Sequence, residues 1–83
     1  MLMLYFALIN SEADQLRFSD IYSNYQKQML LVAKRILHSD EDAEDAVQDT
    51  FLQYYNSKKE FESEQHIRAW LIRVAINKAK NMN

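Results

Sequence analysis

Neither glycine nor proline occurs anywhere in this sequence of 83 residues. Glycine supplies the positive φ angles of tight hairpin turns and proline fixes other turns, so a chain without both has few means of joining short strands. The sequence also lacks the glycine-rich loop that cradles phosphates in nucleotide-binding enzymes. We therefore predict an all-α fold, a small bundle of three main helices joined by short polar connections.

The size and composition of the chain indicate one globular domain. Apolar residues make up 48% of the sequence and charged residues 27%, which is typical of folded proteins. The absence of cysteine excludes disulfide bonds and thiolate metal ligands. A chain without cysteine fits a reducing compartment, and we expect a cytoplasmic protein.

The chain begins with an apolar segment, residues 1–11, of which the first ten read MLMLYFALIN. This segment is too short to span a membrane, and it has neither the basic leader nor the cleavage site of a signal peptide. We predict that it packs on the domain. The alternative is an interface that covers a partner or a second copy.

Three segments have the apolar period of helices: residues 12–38, 40–56 and 66–80. Ser11 and Ser39 are the predicted amino-terminal caps, each followed by acids that suit the helix dipole. The pattern allows either one continuous first helix or a break near Ser19. The positions predicted to face the core are Ile21, Tyr22, Tyr25, Met29, Val32, Ala33, Ile36, Leu37, Ala43, Ala46, Val47, Thr50, Phe51, Tyr54, Ile67, Trp70, Leu71, Val74 and Ala75.

Charge is distributed unevenly along the chain. Residues 40–49 contain six acids and no base, whereas residues 66–83 contain four bases and no acid. This asymmetry indicates two surfaces for different partners.

The acids of the second helix include one ridge with an apolar member. Asp45, Gln48, Asp49 and Leu52 follow at i, i+3, i+4 and i+7, roughly opposite the predicted inward stripe. One interpretation is a solvated face with a single exposed leucine, which is common in proteins. The other is a docking ridge for a basic partner, in which the charges steer the encounter and Leu52 forms a small desolvated centre.

The second candidate surface combines the loop at residues 57–65 with the last helix. Phe61 is the one apolar side chain of that loop, and Arg73, Asn77 and Lys80 share a side of the helix. A loop phenylalanine often covers the end of a core, and bases near a helix carboxyl end are favourable for local reasons. Aromatic and basic side chains together also suit single-stranded nucleic acid.

No catalytic, metal-binding or cofactor-binding constellation is visible. His38 and His66 lie 28 positions apart and have no ligand spacing. Nothing indicates a buried carboxylate of the kind that acid–base catalysis needs. We therefore expect a binding protein without metal or cofactor, and not an enzyme.

Three blocks of the sequence resemble conserved region 2 of bacterial sigma factors. They read FSDIYSNYQKQMLLVAKRIL, DEDAEDAVQDTFLQYY and HIRAWLIRVAINKAKN, and together they cover most of residues 16–83. The order and spacing of the blocks resemble the extracytoplasmic-function (ECF) type of the sigma-70 family most closely. The resemblance implies a helical domain that acts in transcription initiation.

The resemblance also implies partners for both surfaces. Asp45, Gln48, Asp49 and Leu52 fall where the family docks on the clamp coiled coil of the β′ subunit of core RNA polymerase. The loop and the last helix fall where the family captures the −10 element of promoter DNA, with one base of the non-template strand leaving the stack for a pocket. The implied DNA-binding residues are Phe61, Arg73, Asn77, Lys78 and Lys80, and an anti-sigma factor is a further candidate partner.

The sequence departs from the family pattern in three ways. Ile76 stands where the family often has a base, and Glu60, Glu62 and Glu64 make the loop partly acidic. The sequence also stops before the family's helix-turn-helix, region 4, so we expect this chain to bind polymerase but to initiate poorly alone. The alternatives are a regulator that binds polymerase without recognising DNA, and a bundle that oligomerises through its apolar amino terminus.

Overall fold

Three α-helices account for most of the described chain. The computed structural model describes residues 12–57 and 59–82, with side chains from residue 17 onward. The helices are α1 (Glu12–Ile36), α2 (Asp40–Ser57) and α3 (Glu64–Met82), and no strand occurs within these residues. The all-α prediction is confirmed. The predictions for residues 1–11, including the cap at Ser11, lie outside the described residues.

The helix boundaries differ slightly from the predicted ones. Helix α1 ends at Ile36 instead of residue 38 and passes through Ser19 without a break. Helix α3 begins at Glu64, two residues before the predicted start, because Ser63 caps it: the backbone N–H of His66 donates to Ser63 Oγ over 3.1 Å. The predicted cap at Ser39 is present, with Asp42 N–H donating to its Oγ over 3.2 Å.

Each helix packs against the other two around one apolar core. The positions predicted to face inward are buried in α3, and in α2 all but the half-buried Tyr54 are buried. In α1, Tyr22, Tyr25, Val32 and Ile36 are also half-buried. Phe18 and Ala79 are buried although they were not predicted to be. The buried residues are Phe18, Ile21, Met29, Ala33, Leu37, Ala43, Ala46, Val47, Thr50, Phe51, Ile67, Trp70, Leu71, Val74, Ala75 and Ala79.

Two polar contacts accompany the apolar core, one within α2 and one between α1 and α3. The one buried polar residue among the described side chains, Thr50, donates its hydroxyl to the carbonyl of Ala46 over 2.8 Å, so burial leaves its donor satisfied. Between α1 and α3, Arg68 Nε donates to Gln28 Oε1 over 3.1 Å. This exposed bond joins the helix that carries the basic side chains to α1.

Two tyrosines of the core margin make the fold sensitive to alkali. Burial raises the pKa of Tyr22, with a smaller contribution from the Glu44 carboxylate, and burial also raises the pKa of Tyr54 against the opposing effect of Arg17. Each phenol therefore ionises in the unfolded chain first, at a pH near 10.0. The stability that the neutral phenols contribute is complete below that pH and is lost as pH rises through the folded pKa.

We expect the urea midpoint of unfolding to fall as pH rises from about 9 to about 11, and to fall less steeply in Tyr22→Phe. All other groups are common to the two proteins, so the comparison between them isolates Tyr22. Parallel pH profiles for both would contradict this prediction.

Candidate functional site: an acidic ridge and an aromatic–basic face

The acidic ridge, defined as Asp45, Gln48, Asp49 and Leu52, lies on the outer side of α2. Asp45 and Asp49 are exposed and Gln48 is half-exposed. Leu52 is half-buried, so it is not the exposed leucine that the pattern allowed; it follows the fully buried Phe51 at the edge of the core stripe. The ridge therefore presents charge with a partly covered apolar side chain at one end.

Three further acids of α2 lie at its amino terminus. Asp40, Glu41 and Asp42 occupy the first turn, where negative charge is favourable at the helix dipole. Asp40 also pairs with Lys34 of α1 over 3.6 Å, an exposed contact of little energetic weight. These acids have a local structural explanation, which the exposed Asp45 and Asp49 of the ridge do not share.

Phe61 lies against the core with part of its ring accessible. Its ring centroid is 5.7 Å from that of Trp70, in an edge-to-face arrangement, and 5.0 Å from that of His66. The inner side of the Phe61 ring therefore covers the end of the core, as the first interpretation of this residue predicts. Its half-exposed outer side is available for contact.

The loop before α3 is held in place by specific contacts. The backbone N–H of Glu62 donates to His66 Nδ1 over 3.2 Å. Lys59 Nζ lies 5.7 Å from the Phe61 ring centroid, within the range of a cation–π interaction. Trp70, predicted as a core residue, is 8% exposed and joins this loop to α3.

A cleft opens beside Phe61, between the start of α1, the end of α2 and the loop. We call it the aromatic cleft; its volume is about 580 Å³. Its lining residues are Arg17, Phe18, Tyr54, Tyr55, Lys59, Glu60 and Phe61. Four aromatic side chains thus stand beside two cations and one carboxylate.

The aromatic walls of the cleft are packed against one another. Phe18 stacks on Tyr54 with ring planes 26° apart and centroids at 6.5 Å, and Phe18 lies 5.9 Å from Tyr55. Arg17 lies beside the Tyr54 phenol, where its positive charge opposes the rise in the pKa of Tyr54 that burial causes. Periodicity along one helix could not have revealed this site, because its residues come from three separate parts of the chain.

The predicted DNA-binding residues of α3 differ in exposure. Arg73, Asn77 and Lys80 are exposed, whereas Lys78 and Ile76 are half-buried. Arg73 and Asn77 follow Trp70 by three and seven positions, so they lie on the side of α3 that meets the loop. We use the name aromatic–basic face for the aromatic cleft together with the predicted DNA-binding residues Phe61, Arg73, Asn77, Lys78 and Lys80; Lys78 lies two positions before Lys80 and therefore on a different side of α3.

Two further properties of the described residues bear on the kind of protein. Histidine, aspartate and glutamate nowhere group in threes as metal ligands within 12–57 and 59–82. None of the helices described is long and apolar enough to cross a membrane.

The described residues place the chain in the class of all-α domains, with exposed acids on α2 and with aromatic and basic side chains on the loop and α3. Comparison with known proteins specifies the class: the sigma-70 region 2 family model matches residues 21–82, and the chain belongs to this family, in its ECF type.

The relatives are sigma factors from several bacteria. The chain is 32% identical to RNA polymerase sigma-H factor of Pseudomonas aeruginosa over 82% of this chain and 35% of the relative. It is 34% identical to ECF RNA polymerase sigma-E factor of Haemophilus influenzae over 84% of this chain and 36% of the relative. It is 26% identical to RNA polymerase sigma factor NccH of Alcaligenes xylosoxydans over 87% of this chain and 39% of the relative.

The chain thus spans little more than a third of the length of these relatives. No solved structure matches it significantly.

Proposed function

We propose that this chain acts as the region 2 domain of a sigma factor in transcription initiation, and that it works in the cytoplasm as a binding factor without catalysis of its own. In this role it docks on core RNA polymerase through the acidic ridge and holds the opened −10 element on the aromatic–basic face. The aromatic cleft, with cations beside stacked rings, is the observation that carries the proposal.

The acidic ridge suits the clamp coiled coil of the β′ subunit as a partner. Asp45 and Asp49 are exposed on a helix whose opposite side is locked into the core by Val47 and Phe51, so their positions are fixed before the encounter. Exposed carboxylates steer a basic partner and set its orientation. Leu52, half-buried at the end of the ridge, gives the contact an apolar portion that excludes water.

The aromatic–basic face suits the non-template strand of an opened promoter. Removing a base from a duplex costs a few kcal/mol, and stacking on an aromatic side chain returns about 1–3 kcal/mol per base. The aromatic cleft receives such a base, and Phe61 forms its edge on the loop side. Arg73 and Asn77 offer directional hydrogen bonds, whereas Lys78 and Lys80 supply charge for phosphates.

Salt dependence tests the DNA-binding part of the proposal. With three or four phosphate contacts, we expect the logarithm of the binding constant for single-stranded −10-like DNA to fall with the logarithm of salt concentration at a slope of roughly −2 to −3. The variant Lys78→Gln/Lys80→Gln removes two of those contacts. We expect it to reduce the slope by about 1.4, measured by fluorescence anisotropy of a labelled oligonucleotide.

A matched control removes two cations from α1 instead. Lys27→Gln/Arg35→Gln changes the net charge equally at exposed positions away from the aromatic–basic face, and we expect its slope to stay close to the original. Absence of binding even at low salt would favour a second candidate function, a regulator that occupies polymerase without recognising DNA. The partly acidic loop, with Glu60 and Glu62 exposed, is the feature that favours this second candidate.

A further inference from the structure

The aromatic cleft contains a carboxylate that phosphate binding does not explain. Glu60 lines the cleft between Lys59 and Phe61. A negative charge at this place opposes the approach of a DNA backbone, so it weakens general affinity. A carboxylate that lowers the general affinity for DNA can still favour one base over another if it contacts a specific group of that base.

The three glutamates around the loop have different surroundings. Glu64 Oε1 accepts a hydrogen bond from Asn24 Nδ2 over 3.2 Å, which directs it toward α1. Glu62 is exposed and is not among the residues that line the cleft. Glu60 is the glutamate of this group that an occupant of the aromatic cleft would meet.

Stacking alone cannot select a base, because every base has a π-face. Selection in the aromatic cleft therefore depends on its polar groups. An ionised carboxylate only accepts hydrogen bonds, and it pairs with the exocyclic amino groups of bases. Thymine has no amino group, and its single N–H lies between two carbonyl oxygens that repel a carboxylate.

The cations of the cleft do not remove this preference. Arg17 lies beside the Tyr54 phenol, and Lys59 lies over the Phe61 ring. Their N–H donors suit a phosphate at the rim or a ring nitrogen acceptor. Adenine and cytosine offer an amino group next to such a nitrogen, so either base can satisfy the carboxylate and a cation together.

We propose that Glu60 makes the aromatic cleft selective, so that it accepts a base with an exocyclic amino group and discriminates against thymine. This inference rests on the proposed function, since it requires that single-stranded DNA reach the cleft. Glu60 is then a residue that determines promoter preference at one position of the −10 element.

The test uses short labelled single-stranded oligonucleotides at low salt. Each position in turn carries adenine, cytosine, guanine, thymine or an abasic site, and binding is measured by fluorescence anisotropy. We expect one position at which the abasic site weakens binding and thymine binds about five- to tenfold more weakly than adenine or cytosine. Elsewhere along the strand we expect small differences.

Two variants with the same charge change separate base selection from general electrostatics. Glu60→Gln and Glu62→Gln each remove one negative charge from an exposed loop position, so both should weaken the general repulsion of the DNA backbone to a similar extent. Glutamine both donates and accepts, and it therefore pairs with thymine as well as with adenine. We expect Glu60→Gln to reduce the preference to within about twofold, and Glu62→Gln to retain it.

The outcomes distinguish this inference from the proposed function. If all four bases bind equally, or if the two variants change the preference alike, Glu60 does not select the base although the domain still binds DNA. If no oligonucleotide binds at low salt, both the DNA-binding function and the selectivity are wrong. Circular dichroism spectra confirm that each variant keeps its helices.

Discussion

Reversing the two exposed acids of the ridge, with the variant Asp45→Lys/Asp49→Lys, is expected to weaken capture of core RNA polymerase by at least about tenfold. Like charges brought together in an interface cost several kcal/mol, and this variant places two cations where a basic partner docks. Both positions are exposed and lie outside the core, so the helical content should not change. Binding of labelled domain to purified core polymerase measures the effect.

The matched control reverses two acids elsewhere. Asp20 of α1 and Glu62 of the loop are exposed and lie off the acidic ridge, so Asp20→Lys/Glu62→Lys changes the net charge by the same amount. We expect it to keep most of its affinity for polymerase. Undiminished capture by the ridge variant would show that polymerase docks elsewhere, and equal losses in both variants would indicate a response to net charge alone.

The second large effect concerns the core. Phe51 is fully buried, and its ring meets that of Tyr22 edge-to-face with centroids 4.9 Å apart. Phe51→Ala leaves a cavity between α1 and α2, and such changes cost about 3–5 kcal/mol. A domain of this size has little stability in reserve, and its melting temperature changes by about 4–8 °C per kcal/mol. We expect the melting temperature to fall by about 12 °C or more, or the domain to be unfolded at room temperature.

Leu31→Ala is the contrasting variant. Leu31 is 63% exposed on α1, so its removal should change stability by no more than about 0.5 kcal/mol. Circular dichroism melts of both variants give the comparison. A Phe51→Ala protein that melts within a few degrees of the original would mean that the three-helix core is not packed as described.

The pattern of apolar residues was sufficient to predict the three helices and most of the core. Without glycine or proline, and with a repeat of about 3.6 residues, α2 and α3 have one way to bury their apolar side chains, so positions such as Val47 and Trp70 could be assigned directly. Phe18 was missed although it is in phase with the stripe of α1, three positions before Ile21 and seven before Tyr25; extending the stripe by one turn would have included it. The start of α3 was missed because a serine cap is a weak signal within a polar loop.

The sequence by itself determined the fold class, the opposed charges of residues 40–49 and 66–83, and the resemblance to a family, since composition, period and spacing are properties of the linear chain. Tertiary structure decided that Leu52 is half-buried, that Phe61 lies against Trp70, and that an aromatic cleft exists at all. The physical reason is that a cleft is formed by side chains distant in sequence. Arg17, Tyr54 and Glu60 come together because the packing of three helices fixes their separation, which no local pattern encodes.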